Sequence, residues 1–181
     1  MLISVDFVTK ILSFFTVIAD IMASVIIFVL LVKKFGKPNE FINVVIEFLG
    51  SNAVLGAFII VLTSITGSIF YSEIAGFLPC SLCWWQRVFL YPQVILFGIA
   101  LWKKERVADY AIALSSVGAL IASYHSYLQF GGLPLIPCAA SAAAASCAQR
   151  YFLEFGYVTI PTMSLTVFIL IILLMLTNKS R

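Results

Sequence analysis

The sequence predicts an all-α integral membrane protein, and three observations carry that prediction. Of 181 residues 62% are hydrophobic and only 10% charged, which lies outside the range of soluble globular domains. The apolar residues gather into five stretches, each long enough to cross a hydrocarbon core as helix, which takes about 20 residues. Lysine and arginine then collect in alternate short connections, the asymmetry of a multi-pass protein. The length suits one domain. A net charge of +3 is too small to build a nucleic-acid surface, so no nucleic-acid partner is expected.

The first span runs from about Ile11 to Val32. It is longer than the apolar region of a secretory signal, lacks an Ala-x-Ala site, and is followed rather than preceded by its basic cluster, so it reads as a retained helix. The second runs from about Ile46 to Phe70, and Phe41 to Leu49, carrying Asn43 and Glu47, reads either as its beginning or as an interfacial lead-in. The third, Trp84 to Trp102, starts just after Pro79 and a Cys-x-x-Cys. The fourth, Val107 to Leu128, is stopped by Gly131-Gly132-Leu133-Pro134. The fifth, Val158 to Thr177, has Pro161 near its first turn, where proline fits a helix. Between the last two, Gln149, Arg150 and Glu154 alternate with Tyr151, Phe152, Phe155 and Tyr157, a composition suited to the headgroup level.

Lys33, Lys34 and Lys37 follow the first span, Lys103, Lys104 and Arg106 the third, and Lys179 and Arg181 the fifth; the opposite side holds only Lys10, Arg87 and Arg150. Positive residues stay inside, so the N-terminus is expected outside. The connections Tyr71 to Cys83 and Gln129 to Tyr157 then share the outer, oxidising side. They hold the chain's four cysteines: Cys80 and Cys83 in one, Cys138 and Cys147 in the other.

This arrangement suits a thiol relay. Pro79 marks a helix N-terminus, whose unpaired N–H groups favour a thiolate, and Cys80 and Cys83 share a helix face. Arg87 lies one turn beyond Cys83, where a cation would hold that sulfur as thiolate and polarise the carbonyl of an oxidant; taken alone it would be an interfacial snorkelling residue. Ala139 to Ser146 is a neutral alanine-rich spacer. A continuous helix would hold its flanking cysteines about 13 Å apart, too far for a disulfide, so when Cys138 and Cys147 are bonded this run must turn. The rival readings are structural disulfides and zinc. Zinc would need both pairs, but the Cys-x8-Cys spacing departs from the usual second half-site, and no resident metal is expected. His125, the only histidine, is either a polar anchor or a neighbour of a proton-accepting oxidant. Glu73 is read as structural.

Cys80-Ser81-Leu82-Cys83 with Arg87 behind it, Tyr124-His125 at the end of a later helix, and Cys147-Ala148-Gln149-Arg150 with aromatics following resemble the DsbB family of bacterial disulfide bond formation proteins, over about Leu49 to Thr177. The resemblance implies a four-helix transmembrane bundle (41–181), here preceded by one extra N-terminal transmembrane helix with its inner loop (1–40). It implies a membrane enzyme that reoxidises a DsbA-like thioredoxin-fold dithiol oxidase and reduces a membrane quinone, ubiquinone or menaquinone. Cys138 would form the mixed disulfide with the partner, Cys147 would exchange with Cys80, and Cys83 would face the quinone with Arg87, His125 lying near its ring. The location implied is the bacterial cytoplasmic membrane, and the role is in protein folding. Two features depart from the family: the first helix, and a short alanine-rich outer loop. A vitamin K epoxide reductase-like relay would place the loop pair before the Cys-x-x-Cys, and here it follows. A non-enzymatic scaffold with structural disulfides would hold no quinone.

Overall fold

A computed structural model describes residues 5–36, 40–135 and 146–180. The described residues form five α-helices: α1 (Val5–Phe35), α2 (Glu40–Ile69), α3 (Ser81–Lys103), α4 (Ala108–Gln129) and α5 (Ile160–Ser180), with a π-helical turn, Phe70–Ile74, extending α2. Each predicted span reappears as one of these helices. Phe41 to Leu49 belongs to α2 without a break. By length and apolarity α1, α2 with its π turn, α4 and α5 can each cross a membrane. The 23-residue α3 is long enough at about 1.5 Å per residue, but Gln86, Arg87 and Gln93 make it less apolar. Gln86 and Gln93 are buried, so the polarity of α3 faces the protein.

Helices α2, α3, α4 and α5 form a ring in which each packs on the next and α5 closes back on α2, while α1 lies outside the ring against α5 and α2. Small residues let the helices approach: Ala53 and Ala57 of α2 and Ala111 and Ala122 of α4 are fully buried around Phe97 and Phe168. At Gly118 a β-carbon would run into the Phe168 ring, so glycine is what lets that ring pack against α4. Inside the ring, buried Gln93 donates to the Phe89 carbonyl at 2.9 Å and accepts from Ser115 Oγ at 3.2 Å. That meets its polar groups where no water competes.

The outward side of α1 is apolar, with Phe7, Phe14, Ile21 and Phe28 exposed. Its buried stripe, Thr9, Ser13, Thr16, Ala23, Ile26 and Val29, follows helical spacing and changes from polar to apolar along its length. Tyr71 donates to Thr9 Oγ1 at 3.4 Å, and Lys33 donates to the Ser180 carbonyl at 2.8 Å. Between these, Asp20 accepts from Thr166 Oγ1 and from the Tyr157 hydroxyl, both at 2.6 Å. Burial, then the hydrogen bond and charge of Asp20, push the Tyr157 phenol up to about 12, so it remains a donor.

At the cysteine end, 146–159, whose composition suits the headgroup level, is not a regular helix. It tightens into a turn in which Glu154 and Val158 exchange backbone hydrogen bonds at 3.0 and 2.8 Å. Phe155 and Gly156 take the left-handed conformation that such a turn requires, with φ of 50° and 78°. Tyr151 stacks on Phe77 with centroids 4.3 Å apart, and Phe77 stacks on Tyr71 at 5.6 Å, while Phe155 and Tyr157 stay exposed.

Candidate functional site

Pro79 has no N–H to orphan, and Cys80 after it adopts extended backbone and caps α3. Its Sγ accepts the Cys83 N–H at 3.4 Å and lies 3.3 Å from Cys83 Sγ; both cysteines are free thiols. Buried His125 reaches over from α4, with Nε2 3.6 Å from Cys80 Sγ. Gln86, one turn into α3, places its Nε2 2.9 Å from His125 Nδ1. An amide N–H given to Nδ1 puts the ring proton on Nε2, facing the sulfur.

Hydrogen bonding from Cys83 first, and from His125 after it, outweighs burial and holds the Cys80 thiol well below its ordinary value. The sequence pointed to Cys83 as the thiolate held by Arg87. The donors converge on Cys80, while Arg87 lines a cavity with Cys83 and is itself tied to α2: its Nε donates to Ser68 Oγ and its Nη2 to the Ser68 carbonyl, both at 2.9 Å, with the guanidinium 5.0 Å from the Trp84 ring.

Cys147 is buried in one apolar cluster with Cys80 and Leu128. It is disulfide-bonded, and since Cys80 and Cys83 are free, neither is its partner. Ser81 Oγ lies 3.7 Å from Cys147 Sγ. Two hydrogen bonds dock this loop: Gln129 donates to the Gln149 carbonyl and Tyr151 donates to the Leu78 carbonyl, each at 2.8 Å. Cys138 and the run from Ala139 to Ala145 lie outside the described residues.

On the other side of Cys83, a cavity of about 470 Å³ opens between α1, α2, α5 and the mouth of α3. Cys83, Gln86 and Arg87 line one end, Phe77 and Tyr151 lie beside them, and the rest is largely apolar. His125 is not among the lining residues; it serves Cys80. The site thus has two sides, with Cys80 turned toward His125 and Cys147, and Cys83 and Arg87 on the cavity.

Cys80, Cys83 and His125 also have ligand atoms within 4.8 Å of one another. Two thiolates on a tetrahedral zinc, with bonds of about 2.3 Å, sit about 3.8 Å apart. The observed 3.3 Å between sulfurs is closer, the separation of a thiol donating to a thiolate.

Reasoning from sequence reached Cys80, Cys83, Cys147, Arg87 and His125, and missed Gln86, Ser68, Phe77 and Tyr151. Gln86 carried a signal, a polar residue one turn after a Cys-x-x-Cys in an apolar helix. Alkylation of reduced Cys80 follows its thiolate fraction. Its rising limb is therefore expected on the acid side of the ordinary thiol value near about 8.5, and in His125→Phe it moves toward higher pH. The stability that the thiolate lends the reduced fold is complete above the unfolded value and lost as pH falls through the folded one. Rates of iodoacetamide labelling against pH, in a Cys138→Ser, Cys147→Ser background, check this; coincident profiles for the two proteins would remove His125 from the cysteine.

The family model for disulfide bond formation protein DsbB matches residues 51–178. The chain is 38% identical to disulfide bond formation protein C of Bacillus subtilis over 131 residues, 69% of this chain and 91% of that one. It is 44% identical over 111 residues to a probable disulfide formation protein C 1 of Bacillus anthracis, covering 58% and 76% of the two chains. With a probable disulfide formation protein of Metapseudomonas resinovorans it shares 33% identity over 133 residues, 72% of this chain and 91% of that one. No solved structure matches.

Proposed function

The chain belongs to the DsbB family of disulfide bond formation proteins, a thiol–disulfide oxidoreductase role, and from that premise we propose that it reoxidises a DsbA-like thioredoxin-fold dithiol oxidase and passes the electrons to a membrane quinone, ubiquinone or menaquinone. Its place is the bacterial cytoplasmic membrane, with the N-terminus and both cysteine pairs on the outer face. The observation that carries this reading is the two-sided placement of the Cys-x-x-Cys: Cys80 packs in one cluster with Cys147, and Cys83 lines a largely apolar cavity with a guanidinium.

Each step moves two electrons and two protons. The partner's dithiol attacks the Cys138–Cys147 disulfide through a mixed disulfide at Cys138, leaving with its own disulfide and reducing the loop pair. The Cys147 thiolate attacks the Cys80–Cys83 disulfide at Cys80 and releases Cys83; Cys138 then attacks Cys147 of that mixed disulfide and releases Cys80, so the loop disulfide re-forms and Cys80 and Cys83 become thiols. A quinone, when bound, takes two electrons and two protons and becomes quinol, and the Cys80–Cys83 disulfide returns. The direction follows the potentials, about 1.4 kcal/mol per 30 mV for two electrons.

The residues fit such an acceptor. A volume of about 470 Å³ lies in the usual range for a small-molecule site, roughly 300–1,000 Å³. Arg87, with two N–H groups held by Ser68, offers a fixed cation beside Cys83, and the apolar remainder suits an isoprenoid tail. His125, aligned by Gln86, stabilises Cys80 as leaving group and nucleophile.

Purified protein mixed with a reduced thioredoxin-fold oxidase and a short-chain quinone should form partner disulfide and quinol in equal amounts. Partner oxidation with no quinol formed would overturn the quinone reading.

A further inference from the structure

Helix α1 lies outside the stretch that the family model matches, yet it supplies part of the cavity wall, including Phe15, Thr16, Ala19 and Met22. Against α2 and α5 alone this space would be an open groove. The helix is also seated. Midway along it, Asp20 carries an ionisable group at membrane depth, where such a residue is costly unless it has partners and a use. Both carboxylate oxygens are taken at 2.6 Å, one by Thr166 of α5 and one by Tyr157 just before α5. Thr166 and Val167 line the cavity too, so the clasp and the wall are one construction.

We propose that α1 is a built-in wall of the acceptor site, with Asp20 as the positioning residue that seats it. The occupant is an amphipathic quinone, its carbonyl-bearing ring at the Cys83–Arg87 end and its apolar tail along Ala19 and Met22 of α1 and Leu170 of α5. The cavity's own polarity argues for this occupant: among the described residues its one charged lining side chain, Arg87, and the Gln86 amide lie at the Cys83 end, and the wall α1 contributes is mostly apolar. This rests on the quinone reading of the site. It adds that an element outside the family core determines which acceptors fit.

An azide-bearing photoreactive quinone, irradiated with the purified full chain and followed by peptide mapping, tests it. Adducts are expected both on α1, between Phe15 and Met22, and next to Cys83 on α3. Adducts on α3 and α2 with none on α1 would overturn the wall while leaving the quinone reading intact; specific adducts at neither place would overturn both. A second measurement is quinone binding followed by quenching of tryptophan fluorescence. Ala19→Trp fills the cavity from the α1 side and should weaken binding about tenfold, an overpacking effect, whereas Ile21→Phe on the exposed face should leave it at the wild-type value. Asp20→Leu should weaken binding and Asp20→Glu restore part of it. Equal affinities in the Ala19 and Ile21 variants would again remove α1 from the site.

Discussion

Cys83→Ala is expected to bring quinone reduction down to the uncatalysed background while still permitting one exchange with the protein partner. The remaining Cys80 thiol sits in one buried cluster with Cys147 under donors that favour its thiolate. With no Cys83 to complete its own disulfide, the Cys80 thiolate is expected to attack the Cys138–Cys147 disulfide at Cys147, releasing Cys138 as a thiol, and a Cys80–Cys147 peptide should accumulate on non-reducing mapping. Cys138→Ala gives the opposite pattern: partner oxidation falls to background, and quinone added to the reduced variant still oxidises Cys80 and Cys83. The two effects separate because Cys83 lines the cavity and Cys147 does not. Equal loss of quinone reactivity in both variants, with their folds intact, would sink the serial order.

Much of this frame was legible in residue order. Hydropathy alone located the helices because a spanning segment must satisfy its backbone internally and leave its side chains apolar. Pro79 announced the start of α3, which fixed Cys80 at the place where N–H groups are unpaired. What the sequence could not show was which side chain each face meets. Hydropathy set the span that contains Asp20, but its partners Tyr157 and Thr166 stand 137 and 146 residues away. In the same way, Arg87 was assigned to Cys83 by helical register, and the structure adds Ser68, on a neighbouring helix. For the loop after Cys147 the sequence showed composition but not contacts: alternating polar and aromatic residues suit the headgroup level, and the structure adds that Tyr151 docks on Phe77 and Leu78 while Phe155 and Tyr157 stay exposed.

Ser68 bears directly on the prediction for Arg87, because it offers that cation a second role. The guanidinium could act as a tie between α2 and α3, since two of its N–H groups go to Ser68, or as the polar end of the acceptor site, since it also lines the cavity beside Cys83. The two roles predict different variants. If it binds the acceptor, Arg87→Gln removes a hydrogen bond from a charged donor, a loss of about 1.5–3 kcal/mol, and the quinone concentration needed for half-maximal rate rises about 10- to 100-fold. Arg87→Lys restores the charge without the planar fork and recovers part of that loss. Ser68→Ala removes the hydroxyl acceptor of Nε and leaves the backbone acceptor of Nη2, keeping the guanidinium in the cavity, so its effect on quinone dependence is expected to be smaller than that of Arg87→Gln. Steady-state kinetics against quinone concentration, with thermal unfolding of each variant in detergent, decides the matter: an unchanged quinone dependence in Arg87→Gln, together with equal destabilisation in Ser68→Ala, would make Arg87 a structural tie and leave the acceptor to be held by the apolar wall alone.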